Sequence, residues 1–209
     1  MRKEKILNIL LEEKIISIVR LKNGDLAPKV IDNLVKGGIK VLEITSNTPN
    51  FDIQITAARK KHPDILIGAG TVTTPELAQI AIKAGAQFLV TPNTNRAIVN
   101  ETIKASIPVV MGAFTPTETA NAISYGADII KLFPAGQMGI SYYKSLKAPF
   151  SGIKFFAVGG IDLDNTEAWL DAGIDGLGLG SSLVQSEINT TEELNDIIIK
   201  AQQFKKLTN

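Results

Sequence analysis

Eight short apolar runs recur along this chain at nearly regular intervals, and that recurrence leaves few folds open. The runs are 15–20, 39–44, 65–69, 87–91, 108–111, 127–132, 153–158 and 174–179. Each is aliphatic or β-branched with little polar alternation, the pattern of a strand buried on both faces. Most are separated by segments with apolar residues every three or four positions, as in 27–36, 56–61, 75–84, 117–124 and 191–205. Helix-start signals open several of these segments, among them Thr74-Pro75-Glu76, Thr115-Pro116-Thr117-Glu118 and Asp164-Asn165. A joint also repeats: Gly37-Gly38-Ile39, Ala84-Gly85-Ala86, Tyr125-Gly126-Ala127 and Ala172-Gly173-Ile174 each end a helix and lead into a strand. Glycine suits the left-handed residue that closes a helix there. Eight strands with intervening helices in 209 residues predict one (β/α)8 barrel over 1–209, preceded by an N-terminal helix. An open doubly wound sheet is the rival, but no glycine fingerprint follows the first strand.

Composition narrows the function classes. The net charge is +1 with no long basic run, so no nucleic-acid footprint is expected. No cysteine is present, which removes disulfides and thiolate chemistry. No stretch approaches a membrane span, and residues 1–14 read as an amphipathic helix rather than a signal peptide. A cytoplasmic protein is the expectation. His62 is the lone histidine, placed at a surface helix end, so neither a zinc site nor a Ser-His-Asp triad is expected, and no metal is called for.

In a (β/α)8 barrel the chemistry sits at the C-terminal ends of the strands. Those ends carry Arg20, Glu43 with Thr45 and Asn47, Gly70-Thr71, Thr91-Pro92-Asn93, Gly112, Lys131, Gly159-Gly160 and Gly180-Ser181. Lys131 is a single amine inside the apolar run Asp128-Ile129-Ile130-Lys131-Leu132-Phe133-Pro134. Burial favours the neutral amine, and a neutral lysine is a nucleophile for carbonyl carbon. The bland reading is a strand-end lysine that extends its charge to water. Glu43 interrupts Val41-Leu42-Glu43-Ile44-Thr45, where a carboxylate needs a partner or a task. It reads as a general acid/base near Lys131 or as a structural partner of Arg20. Gly159-Gly160 and Gly180-Ser181 follow the last two strands, the loops that commonly form a phosphate site, although ordinary tight turns have the same composition. The chemistry left is lysine plus carboxylate on a carbonyl substrate that carries a phosphate.

These residues bring a family into view. The segment 126–135 around Lys131, with Gly139 following, resembles the Schiff-base signature of the 2-keto-3-deoxy-6-phosphogluconate aldolase family. That family includes 4-hydroxy-2-oxoglutarate and 2-keto-3-deoxy-6-phosphogalactonate aldolases. Residues 38–45 around Glu43 are similar to its other signature, and Gly68-Ala69-Gly70-Thr71-Val72 and Gly159-Gly160-Ile161 also resemble family segments. The likeness runs through nearly the whole chain. It implies a (β/α)8 barrel, assembled as a homotrimer, that needs no cofactor beyond its own lysine. It also implies cleavage of a phosphorylated 2-keto-3-deoxy sugar acid to pyruvate and D-glyceraldehyde 3-phosphate. By that resemblance Lys131 forms the imine and Glu43 shuttles protons. Thr71 and Pro92 line the pyruvate pocket, Phe133 of the lysine signature contacts substrate, and Gly160, Gly180 and Ser181 hold the phosphate.

One departure bears on specificity. After Glu-x-Thr the gluconate type usually continues with an apolar residue and an arginine that binds the substrate carboxylate, whereas this chain has Ser46 and Asn47. A neutral amide cannot form a bidentate charged clamp. Arg20 at the end of the first strand supplies a cation instead, and an arginine there also occurs in the family. Asn47, the Pro92-Asn93 pair and Val158, where gluconate enzymes often carry threonine, resemble the galactonate branch, and Asn47, Asn93 and Val158 are expected to bind substrate with Arg20. The two substrates differ only at C4, so one hydroxyl-bonding side chain can decide between them, and a galactonate-type or dual specificity is the expectation. Cleavage of 4-hydroxy-2-oxoglutarate to pyruvate and glyoxylate is the alternative within the family. Outside it stand a sugar-phosphate isomerase or epimerase, or a binding protein on a retired barrel.

Overall fold

The computed structural model describes residues 2–208. Eight parallel strands pair in sequence order and close into a barrel: β1 (Ile15–Val19), β2 (Val41–Thr45), β3 (Leu66–Gly70), β4 (Leu89–Val90), β5 (Val109–Ala113), β6 (Ile129–Leu132), β7 (Phe155–Val158) and β8 (Gly176–Leu179), with β8 returning to β1. The helices around it are α2 (Ala27–Lys36), α3 (Phe51–Lys61), α4 (Pro75–Lys83), α5 (Arg96–Ala105), α6 (Pro116–Tyr125), α7 (Ala135–Lys147), α8 (Thr166–Asp171) and α9 (Thr191–Thr208). The expected (β/α)8 barrel is the fold. Among the described residues no helix is long and apolar enough to cross a membrane.

Outward strand residues such as Ile15, Leu42, Ile67, Leu89, Met111, Ile130, Phe155 and Leu177 pack beneath the helices in one apolar cluster. Inward residues Ile16, Val41, Leu66, Phe88, Val110, Ile129 and Phe156 form a second cluster inside the barrel. The helix preceding the barrel, α1 (Lys3–Glu13), adds Ile6 and Leu10 to that inner cluster and so plugs the end from which the strands start. Two rings fill the lower barrel. Space for them comes from inward glycines, because a Cβ on Gly68 or Gly176 would overlap Phe88 or Phe156.

Several strands begin two residues later than their apolar runs, and the helix ends explain why. At the end of α2, Gly38 has φ +91°, its N–H reaches Val35 O at 3.0 Å, and the Ile39 N–H reaches Leu34 O at 3.0 Å. That is a Schellman closure, so Ile39 belongs to the cap rather than to β2. The same pair of bonds recurs around Gly85, Gly126 and Gly173. A fifth copy ends α5 with Ser106 at φ +55° in the glycine position, which hid that helix end from a reading built on glycine. The joints carry a second device. Gln87, Asp128 and Asp175, each two residues past the left-handed glycine, accept the backbone N–H of Ile67, Val109 and Phe155 on the preceding strand at 2.9–3.0 Å. These side chains stitch the lower rim and satisfy strand ends that would otherwise lack partners.

Candidate active site

Lys131 lies on β6 with its side chain turned into the barrel, and it is 5% exposed. Its Nζ sits 5.0 Å from the centre of the Phe133 ring, within cation–π reach if protonated. Glu43, the middle residue of β2, is also inward and 1% exposed. Its carboxyl lies against Gly70, where a Cβ would overlap it. Burial pushes the Glu43 carboxyl above its ordinary range, against the opposing pull of the Lys131 and Arg20 charges. Burial pushes the Lys131 amine below its ordinary value, opposed by Glu43 and assisted by Arg20. Both shifts favour the uncharged forms, which suits an amine that must attack and a carboxyl that must donate.

A cavity of about 610 Å³ opens above this pair at the C-terminal face of the barrel. Lys131 is in its wall, with Arg20, Thr71 and Pro92 from the early strands and Phe133 and Val158 from the late ones. Gly159 and Gly160 after β7 and Gly180 and Ser181 after β8 line the same space. Thus most residues singled out from sequence meet in one place. Glu43 lies below the wall rather than in it. Asn47 and Asn93 are exposed and outside the lining. Asn47 sits in the turn after β2, and Asn93 presents its backbone carbonyl to Thr91 Oγ1 at 2.6 Å. His62 stands at the C-terminal end of α3 with Nε2 2.9 Å from Asp32 Oδ1.

Arg20 donates from Nη2 to Thr71 Oγ1 at 3.1 Å, and among the described residues Glu43 is in no ion pair within 4.0 Å. The reading of Glu43 as a structural partner of Arg20 therefore has no contact behind it. Ile161 and Asp162 reach the cavity too, and so do Ile18, Gly178, Ser182, Val184 and Ser186, which were not singled out from sequence. Gly178 carried a signal in the alternation Gly176-Leu177-Gly178-Leu179, which puts both glycines on one face. It makes room for Val158, whose Cγ2 would lie 2.7 Å from a Cβ there. Residues 182–186 come close only because the chain after β8 folds back, with Ser186 O accepting the Lys22 N–H at 2.9 Å. Among the described residues no three of His, Cys, Asp or Glu cluster as a metal ion would need.

A family model described as "KDPG and KHG aldolase" matches residues 6–199. The chain belongs to the KDPG and KHG aldolase family. The names abbreviate 2-keto-3-deoxy-6-phosphogluconate and 4-hydroxy-2-oxoglutarate. Membership makes it an enzyme, a carbon–carbon lyase of the aldolase kind. Over 174 residues it is 36% identical to an Escherichia coli protein named 2-dehydro-3-deoxy-6-phosphogalactonate aldolase, covering 82% of this chain and 85% of that protein. Over 153 residues it is 35% identical to a Treponema pallidum 2-dehydro-3-deoxy-phosphogluconate aldolase, covering 73% of each. Its structure superposes with a TM-score of 0.81, at 28% identity and covering 97% of this chain and 95% of the other, on a Legionella pneumophila KDPG aldolase holding pyruvate as a covalent carbinolamine.

Proposed function

We propose that this family member is a Schiff-base, metal-independent aldolase that cleaves 2-keto-3-deoxy-6-phospho sugar acids to pyruvate and D-glyceraldehyde 3-phosphate. The observation that carries the reading is the buried Lys131 amine in the cavity wall, its pKa lowered by burial, with the buried Glu43 carboxyl in the same barrel interior. The neutral amine adds to the C2 ketone, and the Glu43 carboxyl protonates the departing hydroxyl so that the carbinolamine loses water and becomes an iminium. The Glu43 carboxylate then takes the C4 hydroxyl proton. The C3–C4 bond breaks, the aldehyde leaves, and its electron pair moves into the iminium to give an enamine. Proton return to C3 and hydrolysis release pyruvate and restore the free amine. The iminium at C2 accepts the electron pair left on C3 far better than the ketone would.

Among the described residues lining the cavity, Arg20 and Lys131 are the cationic side chains. We assign the substrate carboxylate to Arg20, the pyruvate wall to Thr71, Pro92 and Phe133, and the phosphate to the backbone around Gly159, Gly160, Gly180 and Ser181. Val158 cannot donate to a C4 hydroxyl, which favours the galactonate epimer over the gluconate one. Cleavage of 4-hydroxy-2-oxoglutarate, which lacks the phosphate, is the alternative reading of the same lysine. A cytoplasmic homotrimer is the assembly the family resemblance implies.

Intact-mass spectrometry after incubation with pyruvate and borohydride tests the reading. A pyruvate-derived adduct mapped to Lys131 is the expected result. A folded sample that binds sugar phosphates and yields no adduct would overturn the imine mechanism.

A further inference from the structure

Thr71 follows β3 directly, yet its φ is +54°. Only a few per cent of non-glycine residues have positive φ, and a β-branched one there is a genuine outlier. Such a conformation persists only where its surroundings over-determine it. The surroundings here are specific. The Ser46 hydroxyl donates to Thr71 O at 2.7 Å, and the Ser46 N–H donates to Gly70 O at 2.8 Å. One residue on the β2 side therefore holds two successive carbonyls at the end of β3. On the other side Thr71 Oγ1 accepts Arg20 Nη2 at 3.1 Å. Thr71 and Arg20 line the cavity, whereas Ser46 does not.

We propose that Ser46 is a positioning residue for this site. Its two bonds hold Thr71 in the left-handed conformation, and Thr71 in turn aims the Arg20 guanidinium into the cavity. Gly70, gripped by the same serine, is the residue against which the Glu43 carboxyl rests. Ser46 thus ties the cation of the cavity to the strand that carries the acid. An apolar residue at position 46 would keep the N–H bond to Gly70 and lose the hydroxyl bond to Thr71. The chemical consequence is loss of grip on the anionic end of the substrate, not loss of the amine.

This inference rests on the aldolase reading above, and the test separates the two. Steady-state kinetics on the phosphorylated keto acid would be measured for the unaltered protein, Ser46→Ala, Ser46→Thr, Thr71→Gly and the Ser46→Ala/Thr71→Gly double variant, with borohydride trapping of pyruvate alongside. Ser46→Ala is expected to lower kcat/KM roughly five- to tenfold, mainly through KM, the size of one lost hydrogen bond. Ser46→Thr keeps the hydroxyl and is expected to restore KM. In the Thr71→Gly background, where positive φ costs little, Ser46→Ala should add no further loss. An adduct in the unaltered protein together with an unchanged KM in Ser46→Ala, even at lowered Tm, would overturn the positioning role alone. Fully additive losses in the double variant would do the same. No adduct at Lys131 in the unaltered protein would overturn the aldolase reading and this assignment with it.

Discussion

The two ends of this barrel are built from the same strands and have opposite character. At the lower end Leu10 and Ile6 of α1 lie over Phe88 and Phe156, and carboxylates of the rim are paired with lysines. Asp128 pairs with Lys3 at 2.8 Å and Asp175 with Lys154 at 2.9 Å, while Glu13 takes both Lys40 and Lys205. At the upper end Lys131 and Glu43 are buried and pulled toward their neutral forms beneath an open cavity. Size does not distinguish the ends. A second cavity of about 610 Å³ lies at the lower rim, lined by Arg2, Lys3, Glu4, Arg59, Gln87 and residues of α5. What the upper cavity has and the lower lacks is a buried amine and a buried carboxyl in one interior. The contrast shows a division of labour in which one end supplies stability and the other keeps costly groups in reach of substrate.

The comparison breaks most sharply at Lys131. Lys131→Met is expected to abolish the pyruvate adduct and lower kcat/KM by roughly 10,000-fold or more, as loss of a covalent nucleophile does. The same change should raise Tm, because it removes a buried amine. The Lys131 pKa is depressed in the folded protein, so its unfolded form binds more protons between that value and its ordinary 10.5. The deficit it imposes is present at neutral pH and fades as pH rises toward 10.5. The Tm gap between Lys131→Met and the unaltered protein should therefore narrow with increasing pH. A gap that widens would place the stabilising charge at the upper end after all.

Glu43→Gln keeps the shape and removes the proton relay, so a loss of about 100- to 10,000-fold in kcat is expected with the fold intact. The Glu43 pKa is raised, so its folded form binds the extra proton above the ordinary 4.5. The unaltered carboxyl therefore costs stability as pH rises through its folded pKa, and Glu43→Gln should be the more stable protein at neutral pH. Leu10→Ala probes the other end. It opens a cavity under the barrel and should cost about 2–5 kcal/mol in denaturant unfolding, with kcat little changed while the protein is folded. A matching collapse of kcat would show that the two ends are not independent.

Two smaller effects sharpen the upper end. Val158→Thr is expected to shift the kcat/KM ratio toward the gluconate-type epimer by roughly tenfold, since it adds one hydroxyl-bonding group to the wall. Asn47→Ala should change kcat/KM by less than about twofold, as for an exposed residue away from the cavity. A larger loss at Asn47 would mean that substrate extends beyond the wall of the cavity.

Much of this was legible in the chain itself. The order of strands and helices followed from eight apolar runs, and the left-handed closures followed from Gly38, Gly85, Gly126 and Gly173. Lys131 and Glu43 stood out because a charge inside a strand buried on both faces is costly wherever the strand lies. Strand starts were misplaced by two residues because a Schellman closure consumes the residue after its glycine, which is as apolar as the strand that follows. The end of α5 was obscured because Ser106 adopts the conformation that glycine usually marks.

The sequence by itself determined the element order, the barrel class and the two residues whose burial demands a purpose. Only the tertiary structure decided which strand residues face inward, because strands covered on both sides show no polar alternation to reveal it. Barrel closure alone set Glu43 of β2 and Lys131 of β6 into one interior, and turned Asn47 and Asn93 outside the cavity while bringing in Gly178 and residues 182–186. Such proximity depends on strand register and loop path across long stretches of chain, and no local pattern of residues encodes it.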